Sequence, residues 1–236
     1  MNKHFSNKLI DEIEENPNKN YFTNVINKTI KITKSPKKSL DVGCGNGVFT
    51  QILKTKFNSE ITGLDGNEYA LQQCRKRGFD KTFLIEDFSQ DSLSMLQDMS
   101  FDLAISKDVL EHIYNPEHTI NEIWKKIKKG GFLLIHVPNH FPFFARLRFL
   151  FKNNLDTFNY FPSYSRYNFP HIRFFTYKSI KELLSKFEYE VTANFSYNFF
   201  VFPLLGKLLN EKIKQNIIKN FPDHFSESYT LLIKKL

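Results

Sequence analysis

The sequence predicts an α/β fold: a doubly wound, mostly parallel sheet with helices on both faces. Two observations carry that expectation. The first is the stretch Ser39-Leu40-Asp41-Val42-Gly43-Cys44-Gly45-Asn46-Gly47-Val48-Phe49-Thr50, a short apolar run that reaches an acid, then three glycines at alternate positions, then helical spacing. Such a stretch reads as a buried strand, a tight turn and a helix start. The second is the alternation of β and α patterns from residue 39 to residue 139, which is the order of a parallel sheet. With 236 residues the chain can bury the full core of one such domain.

The elements follow in order. Residues 8–32 suggest two helices broken near Asn16-Pro17-Asn18, with Val25, Ile26, Thr29, Ile30 and Ile32 as an apolar face. Ser35-Pro36 ends this lead-in. In the glycine stretch, Gly43, Gly45 and Gly47 carry no Cβ to keep a ligand off the backbone, and the helix behind them offers free N–H groups. A dinucleotide fingerprint wants glycines at relative positions one, three and six, but here the sixth is Val48. Strand two is Glu60–Asp65, followed by Gly66-Asn67, and Asp65 at its end offers two oxygens suited to a vicinal diol. Asn67 is placed to cap a helix carrying Tyr69, Ala70, Leu71 and Cys74. Strand three is Thr82–Ile85, ending at Glu86-Asp87-Phe88. Strand four, Phe101–Ile105, runs into Ser106-Lys107-Asp108-Val109-Leu110-Glu111-His112. A helix from Asn115-Pro116 shows Ile120, Ile123, Trp124 and Ile127 on one face, Gly130-Gly131 stops it, and Phe132–Asn139 is strand five. Beyond it, Phe144, Leu147, Arg148 and Leu150 space as a helix, and a Tyr- and Phe-rich loop runs to Pro170. Thr176 leads into a helix with Ile180, Leu183, Leu184 and Phe187, and Glu190–Ala193 and Tyr229–Ile233 read as strands six and seven. Leu204, Leu205, Leu208, Leu209, Ile213 and Ile217 outline an amphipathic helix edged by lysines, a core or dimer face or a membrane-surface element.

Net charge is +8 and unevenly spread: residues 139–236 hold 14 Lys and Arg against 7 Asp and Glu, and 17 of the 26 phenylalanines. A near-neutral module is therefore followed by a basic, aromatic-rich part. No apolar run reaches the roughly 20 residues of a membrane span, and Met1–Phe5 lacks the apolar core of a signal peptide. Cys44 and Cys74 have no metal-ligand spacing, so reduced thiols in a cytoplasmic protein are expected.

D-V-G-C-G-N-G resembles motif I of the class I S-adenosylmethionine (SAM) dependent methyltransferases. The text F-D-L…V-L-E-H-I…P-E…K-K-G-G-F-L-L-I…V-P-N continues the likeness through residue 139, and V-P-N…R-L…H-I-R-F-F-T is similar to the ubiquinone-biosynthesis and MetW-like groups. The resemblance implies a Rossmann-like seven-stranded sheet, parallel with an antiparallel last strand, flanked by helices and topped by the basic aromatic cap. It divides one domain into a helical lid (1–35), a SAM-binding core (36–139), a cap insertion (140–175) and a C-terminal helix with closing strands (176–236). It implies SAM as cofactor and S-adenosylhomocysteine as product. The cofactor would meet Asp41, Gly43, Cys44, Gly45, Asn46, Gly47, Asp65, Gly66, Asp87, Phe88, Ser106, Lys107 and Asp108. Asp65 would clasp the ribose, Asp87 and Phe88 the adenine, and Tyr21 or Phe22 would stack in the lid.

Methyl transfer from a sulfonium is an in-line displacement at carbon, so catalysis is largely positioning. A hydroxyl or ammonium acceptor also needs a base, and histidine suits the task near neutral pH. His112, His140 and His171 fall where the family topology puts the C-terminal edge of the sheet, His171 being the leading candidate. Some ubiquinone-pathway relatives carry E-x-x-E-H as a divalent-metal site. Here Asp108 with its shorter reach stands first, before Glu111-His112, and no metal is assigned. Arg146, Arg148, Arg166 and Arg173 offer guanidinium forks to phosphate or carboxylate, which points to a small anionic acceptor such as a phosphorylated metabolite or nucleotide-linked sugar. Two rival readings use the same residues. A nucleic-acid methyltransferase fits the charge, and basic aromatic loops can stack bases. Yet the N/D-P-P-Y/F/W stretch of amino-methylating enzymes is absent after strand four, and neither cysteine follows a proline. A MetW-like SAM-binding regulatory subunit would dock a partner enzyme through the 204–217 helix, which also suits a homodimer.

Overall fold

The computed structural model describes residues 19–88, 91–152, 171–196 and 209–236. Helix α1 (Lys19–Thr33) leads into β1 (Lys38–Val42), α2 (Gln51–Phe57), β2 (Glu60–Asp65), α3 (Glu68–Lys76), β3 (Lys81–Leu84) and β4 (Phe101–Lys107). A one-turn 3-10 helix (Leu110–His112) precedes α4 (Pro116–Lys126), β5 (Ile127–Pro138), α5 (Phe143–Lys152), α6 (Tyr177–Leu184), β6 (Tyr189–Asn194), α7 (Glu211–Asn220), α8 (Pro222–Phe225) and β7 (Ser228–Lys235). The seven strands form one sheet in the order β3-β2-β1-β4-β5-β7-β6. β7 runs antiparallel to both neighbours, and the other six strands run one way. The expected seven-stranded sheet, parallel but for its antiparallel last strand and flanked by helices, is present.

Strand periodicity divides the core in two. Leu133, Ile135 and Val137 of β5 and Leu231 and Ile233 of β7 face one way, onto Ile120, Ile123 and Trp124 of α4 and Ile180 and Leu184 of α6. Leu134 and Leu232, the alternate residues, face Val25, Ile26 and Ile30 of α1, Leu53 of α2 and Leu71 and Cys74 of α3. Each fully buried aliphatic side chain contributes about 1.5–3 kcal/mol, so the central strands are held from both sides. Local chemistry sets the helix starts. The Asn67 side chain accepts from Ala70 N, Asn115 from His118 N, and Thr176 forms a capping box with Ser179.

Several boundaries differ from the sequence expectation. α4 ends at Lys126, and β5 begins at Ile127 opposite Phe101, with Gly130 and Gly131 inside the strand rather than stopping a helix. The pairing jumps from Phe101–Ile127 to Leu103–Phe132, a bulge that Gly130 (φ 77°) accommodates. β4 runs on to Lys107, so Ser106 and Lys107 are strand residues, and α2 begins only at Gln51. In the C-terminal part, Asn210 caps α7 by accepting from Ile213 N, so the amphipathic stretch does not run as one helix through residue 217. Its residues 204, 205 and 208, the first N-terminal helix and the Tyr- and Phe-rich loop lie outside the described residues. No helix among the described residues is long and apolar enough to cross a membrane.

Candidate active site

The strand order reverses between β1 and β4, and in open α/β sheets the ligand crevice opens at the carboxyl ends of the strands there. The glycine turn fills this position. Gly43 N and Cys44 N donate to Leu64 O (2.7 and 3.0 Å), tying the turn to the end of β2. Gly43 has φ 70°, and a Cβ there would lie 2.2 Å from Val109 Cγ2 in the loop after β4. This contact seats the turn directly against the β4 loop. Asn46 is buried and accepts from Val48 N.

Asp65 is bound into the turn itself. Its Oδ2 accepts from Gly45 N (2.8 Å) and its Oδ1 from Asn67 N (2.9 Å). Each carboxylate oxygen keeps a further lone pair for a diol. Burial pushes this carboxyl up, against the pull of the Gly45, Asn67 and Gly66 N–H groups. Asp41, 5% exposed, accepts from the Thr50 hydroxyl at 2.7 Å. Burial pushes it up to about 7, with Thr50 opposing, Asp65 adding and Lys107 opposing. The Cys44 and Cys74 thiols form no disulfide and lie 3.6 Å apart, and the hydrogen bond with Cys74, followed by burial, raises the Cys44 thiol. Next to β3 a cavity of about 740 Å³ is lined by Ile85, Glu86, Asp87, Asp91, Ser92 and His118. Asp87 is half-buried there, while Phe88 packs against the core and its carbonyl accepts from the Thr119 hydroxyl (2.7 Å).

At the end of β4, Ser106 is fully buried and its hydroxyl finds no hydrogen-bond partner among the described residues. The Lys107 ammonium pairs with Asp108 and lies 4.2 Å from the Phe22 ring centroid and 4.7 Å from that of Phe49. Asp108 (φ 53°) also faces His136 Nε2 at 3.2 Å. Burial opposes its ionisation, but the Lys107 ammonium and His136 outweigh it and hold the carboxyl well below the usual range. His136 Nδ1 shares a hydrogen with Thr230 Oγ1 (2.7 Å), and its ring meets Phe22 edge-on at 4.6 Å.

A second cluster stands beside this one, two residues beyond Val109. Ile172 N and Arg173 N donate to Glu111 O (2.8 and 3.0 Å), pinning the 171–173 segment onto the 3-10 turn. His171 is thereby brought to 3.0 Å (Nδ1) from His140 Nε2, and its ring centroid lies 4.8 Å from that of His112. Phe175 N donates to His140 Nδ1 (3.2 Å). Burial and the neighbouring imidazoles lower His140 to about 3 and His171 to about 4. Glu111 is 1% exposed and its Oε2 has no hydrogen-bond partner among the described residues; burial first, then the Asp108 charge, raises its carboxyl well above the ordinary value. Glu111, His112 and His171 each bring one potential ligand atom within 4.8 Å of the others. Asp108, the first position of the D-x-x-E-H spacing, is directed to Lys107 and His136 instead, while His171 joins Glu111 and His112.

The structure brings together the three expected histidines but engages the arginines elsewhere. Arg173 donates to the Tyr114 carbonyl, and Arg146 donates to the Phe141 carbonyl (2.7 Å). Arg148 is exposed on α5, and Arg166 lies outside the described residues. The Tyr21 hydroxyl donates to Phe195 O and meets Thr230 Oγ1 (2.9 Å), tying α1 to the sheet, whereas its neighbour Phe22 faces the cleft residues Phe49, His136 and Lys107. Sequence reasoning missed His136, Thr230 and Thr50. For His136 the available signal was a lone polar residue in an apolar strand, which needs a buried partner.

The sheet order, the glycine turn at the reversal and the acid closing β2 define the class I SAM-dependent methyltransferase fold. A family model described as a methyltransferase domain matches residues 14–194, and the chain belongs to that family. Among curated relatives, a ubiquinone biosynthesis O-methyltransferase of Psychrobacter cryohalolentis is 26% identical over 134 residues, covering 55% of this chain and 52% of that protein. The mitochondrial ubiquinone biosynthesis O-methyltransferase of Dictyostelium discoideum is 32% identical over 112 residues, covering 42% and 35%. The chain thus spans about half the length, or less, of the curated relatives it matches. In fold, it is similar over 98% of its length to all of a SAM dependent methyltransferase from Archaeoglobus fulgidus, with TM-score 0.66 and 18% identity.

Proposed function

We propose that this protein methylates a hydroxyl oxygen of a small acceptor, using SAM held over the glycine turn and an acceptor site built on His112, His140 and His171. The observation that carries the reading is the packing of Gly43 against Val109. It sets the cofactor turn beside the loop from which Glu111 and His112 project, so donor and acceptor sites share one crevice. Bound SAM supplies an electrophilic methyl group. The chain's own residues hold and orient: Asp65, fixed by Gly45 N and Asn67 N, receives the ribose diol, and the histidine cluster receives the acceptor hydroxyl.

The relatives' names favour oxygen over nitrogen as the methylated atom. They do not favour the anionic sugar or phosphorylated acceptor expected from the arginines, and Arg146 and Arg173 already serve main-chain carbonyls. A phenolic or catecholic hydroxyl fits better beside Phe174, which packs against His140 and is itself met edge-on by Phe141. Magnitudes constrain the histidines' part. A phenol near 10 facing His171 near 4 leaves a gap of about 6 units, or about 8 kcal/mol, which a lone imidazole does not bridge. This favours a second reading of the same cluster, in which Glu111, His112 and His171 hold a divalent cation. The donor set fits, since a buried carboxylate with an unpartnered oxygen and two imidazoles are ordinary ligands. Such an ion would lower the pKa of a bound hydroxyl.

The test is release of S-adenosylhomocysteine with catechol and phenol acceptors, in metal-free buffer and with Mg²⁺, Mn²⁺ or Zn²⁺, for the wild type and His171→Asn. The reading expects turnover with catechols and a loss of about 100-fold in the variant, the order of effect of misplacing a bound acceptor. Turnover of sugar nucleotides alone, or an unimpaired variant, would overturn it.

A further inference from the structure

A second group of ligand-type side chains uses none of the residues of the glycine turn or of the histidine cluster. It forms where α4 meets the end of β3. The Thr119 hydroxyl donates to Phe88 O (2.7 Å), which docks the first turn of α4 on the chain leaving β3, and the Asn115 cap holds His118 N. His118 and Glu122, four residues apart, share one face of α4. Asp91 reaches the same place from the β3–β4 connection, and one donor atom of each residue lies within 4.8 Å of the others. Asp91 and His118 line the cavity beside β3 together with Glu86 and Asp87, and no lysine or arginine lines it among the described residues.

His118 Nε2 is shut off from solvent and has no hydrogen-bond partner among the described residues, although Asp91 Oδ1 is 3.3 Å away. That separation is long for a charge-assisted hydrogen bond, which runs about 2.7–2.9 Å. It matches the edge of roughly 3.3–3.4 Å between two donors that each stand about 2.0–2.1 Å from a tetrahedral ion. The Ser92 hydroxyl lines the same cavity and also lacks a partner among the described residues. Glu122, 5% exposed, accepts from Lys125 through Oε1 (2.6 Å), and a carboxylate has a second oxygen for an ion. Lys125 is half-exposed and can withdraw into water, and Asp91, 82% exposed, can turn without giving up a buried contact. We infer that Asp91, His118 and Glu122 form a binding site for a zinc-class divalent cation, which fastens the β3–β4 connection to α4. An imidazole between two carboxylates suits Zn²⁺, whereas Mg²⁺ takes oxygen ligands and keeps its waters. The N-terminal end of α4 weakly opposes a cation, but the two ligand carboxylates, with Glu86 and Asp87 on the same cavity, outweigh it. The site is independent of the SAM-dependent reading and of the cation considered for Glu111, His112 and His171, since it shares no ligand with either.

The test is calorimetric titration of Zn²⁺ into the chelator-treated full chain carrying His171→Asn, in which the histidine cluster has lost a ligand. One equivalent should bind with a Kd of about 1 μM or tighter. Zinc at about 100 times Kd should raise the thermal midpoint by about 5–10 °C. In the same background His118→Gln should weaken binding by at least about 100-fold, more than the loss of a group that only supports a ligand. Asp91→Asn, whose exposed position spares the fold, should weaken it by about tenfold and carries the test if His118→Gln fails to fold. Lys125→Ala removes the ammonium that competes for Glu122 and should tighten binding by about 3- to 10-fold, a gain that a merely structural ion pair would not give. Absence of zinc binding overturns the site, as does binding that His118→Gln or Asp91→Asn leaves unchanged. A Lys125→Ala variant that binds zinc more weakly overturns it as well.

Discussion

Asp41 is the acid of the glycine stretch, and its burial makes it a measurable liability. The carboxyl is 5% exposed, hydrogen-bonded to Thr50, and pushed up to about 7 from an ordinary 3.8, with burial the largest cause. Between about pH 4 and pH 7 the folded protein keeps a proton that the unfolded chain has released. The native state therefore binds more protons, and stability falls with rising pH across this window, then levels off above it. A displacement of roughly 3 units corresponds to about 4 kcal/mol at most. Asp41→Asn should remove that cost, because the amide oxygen can still accept from Thr50 and never ionises. Chemical denaturation of ligand-free protein at half-unit steps from pH 4.5 to 8.5 measures it. The variant should match the wild type near pH 4.5 and exceed it by about 2–4 kcal/mol at pH 8. Parallel stability curves for the two proteins would refute the reasoning, since they would mean that Asp41 titrates alike folded and unfolded.

Gly43→Ala combines a left-handed φ of 70° with a Cβ 2.2 Å from Val109. It should cost about 2–4 kcal/mol in denaturant stability and displace the turn enough to weaken S-adenosylhomocysteine binding by more than about tenfold. Adding Val109→Ala should restore part of the stability by removing the clash but not the backbone strain. Thr230→Val leaves His136 Nδ1 without its partner at 2.7 Å and removes a contact to Tyr21. A loss of about 1–3 kcal/mol is expected, read as a lower denaturant midpoint at unchanged slope.

Much of the fold was legible because its signals are local. Glu60–Asp65 was read with its observed ends, since an apolar run stops at an acid and a Gly-Asn turn. Leu133, Ile135 and Val137 alternate with Leu134 as a strand buried on both faces requires. The β5 boundary was less legible because two glycines after a helix look like its end, whereas Gly130 instead lets β5 bulge opposite Phe101. In the site, residue types were recoverable but partnerships were not. Asp65 was expected to meet a ribose, yet its first partners are Gly45 N and Asn67 N, and only the adjacency of β1 and β2 reveals the Gly45 contact. His136 and Thr230 are 94 residues apart and meet because β7 inserts beside β5. The D-x-x-E-H spacing left open whether Asp108, Glu111 and His112 act together, the shorter reach of Asp108 counting against it. A left-handed backbone at Asp108 and the register of Lys107 against His136 divide them, one carboxylate going to the Lys107 pair and the other to the histidines. In the proposed reading the same division would separate two jobs, the charged groups at the end of β4 serving the cofactor and the imidazoles beyond the 3-10 turn the acceptor.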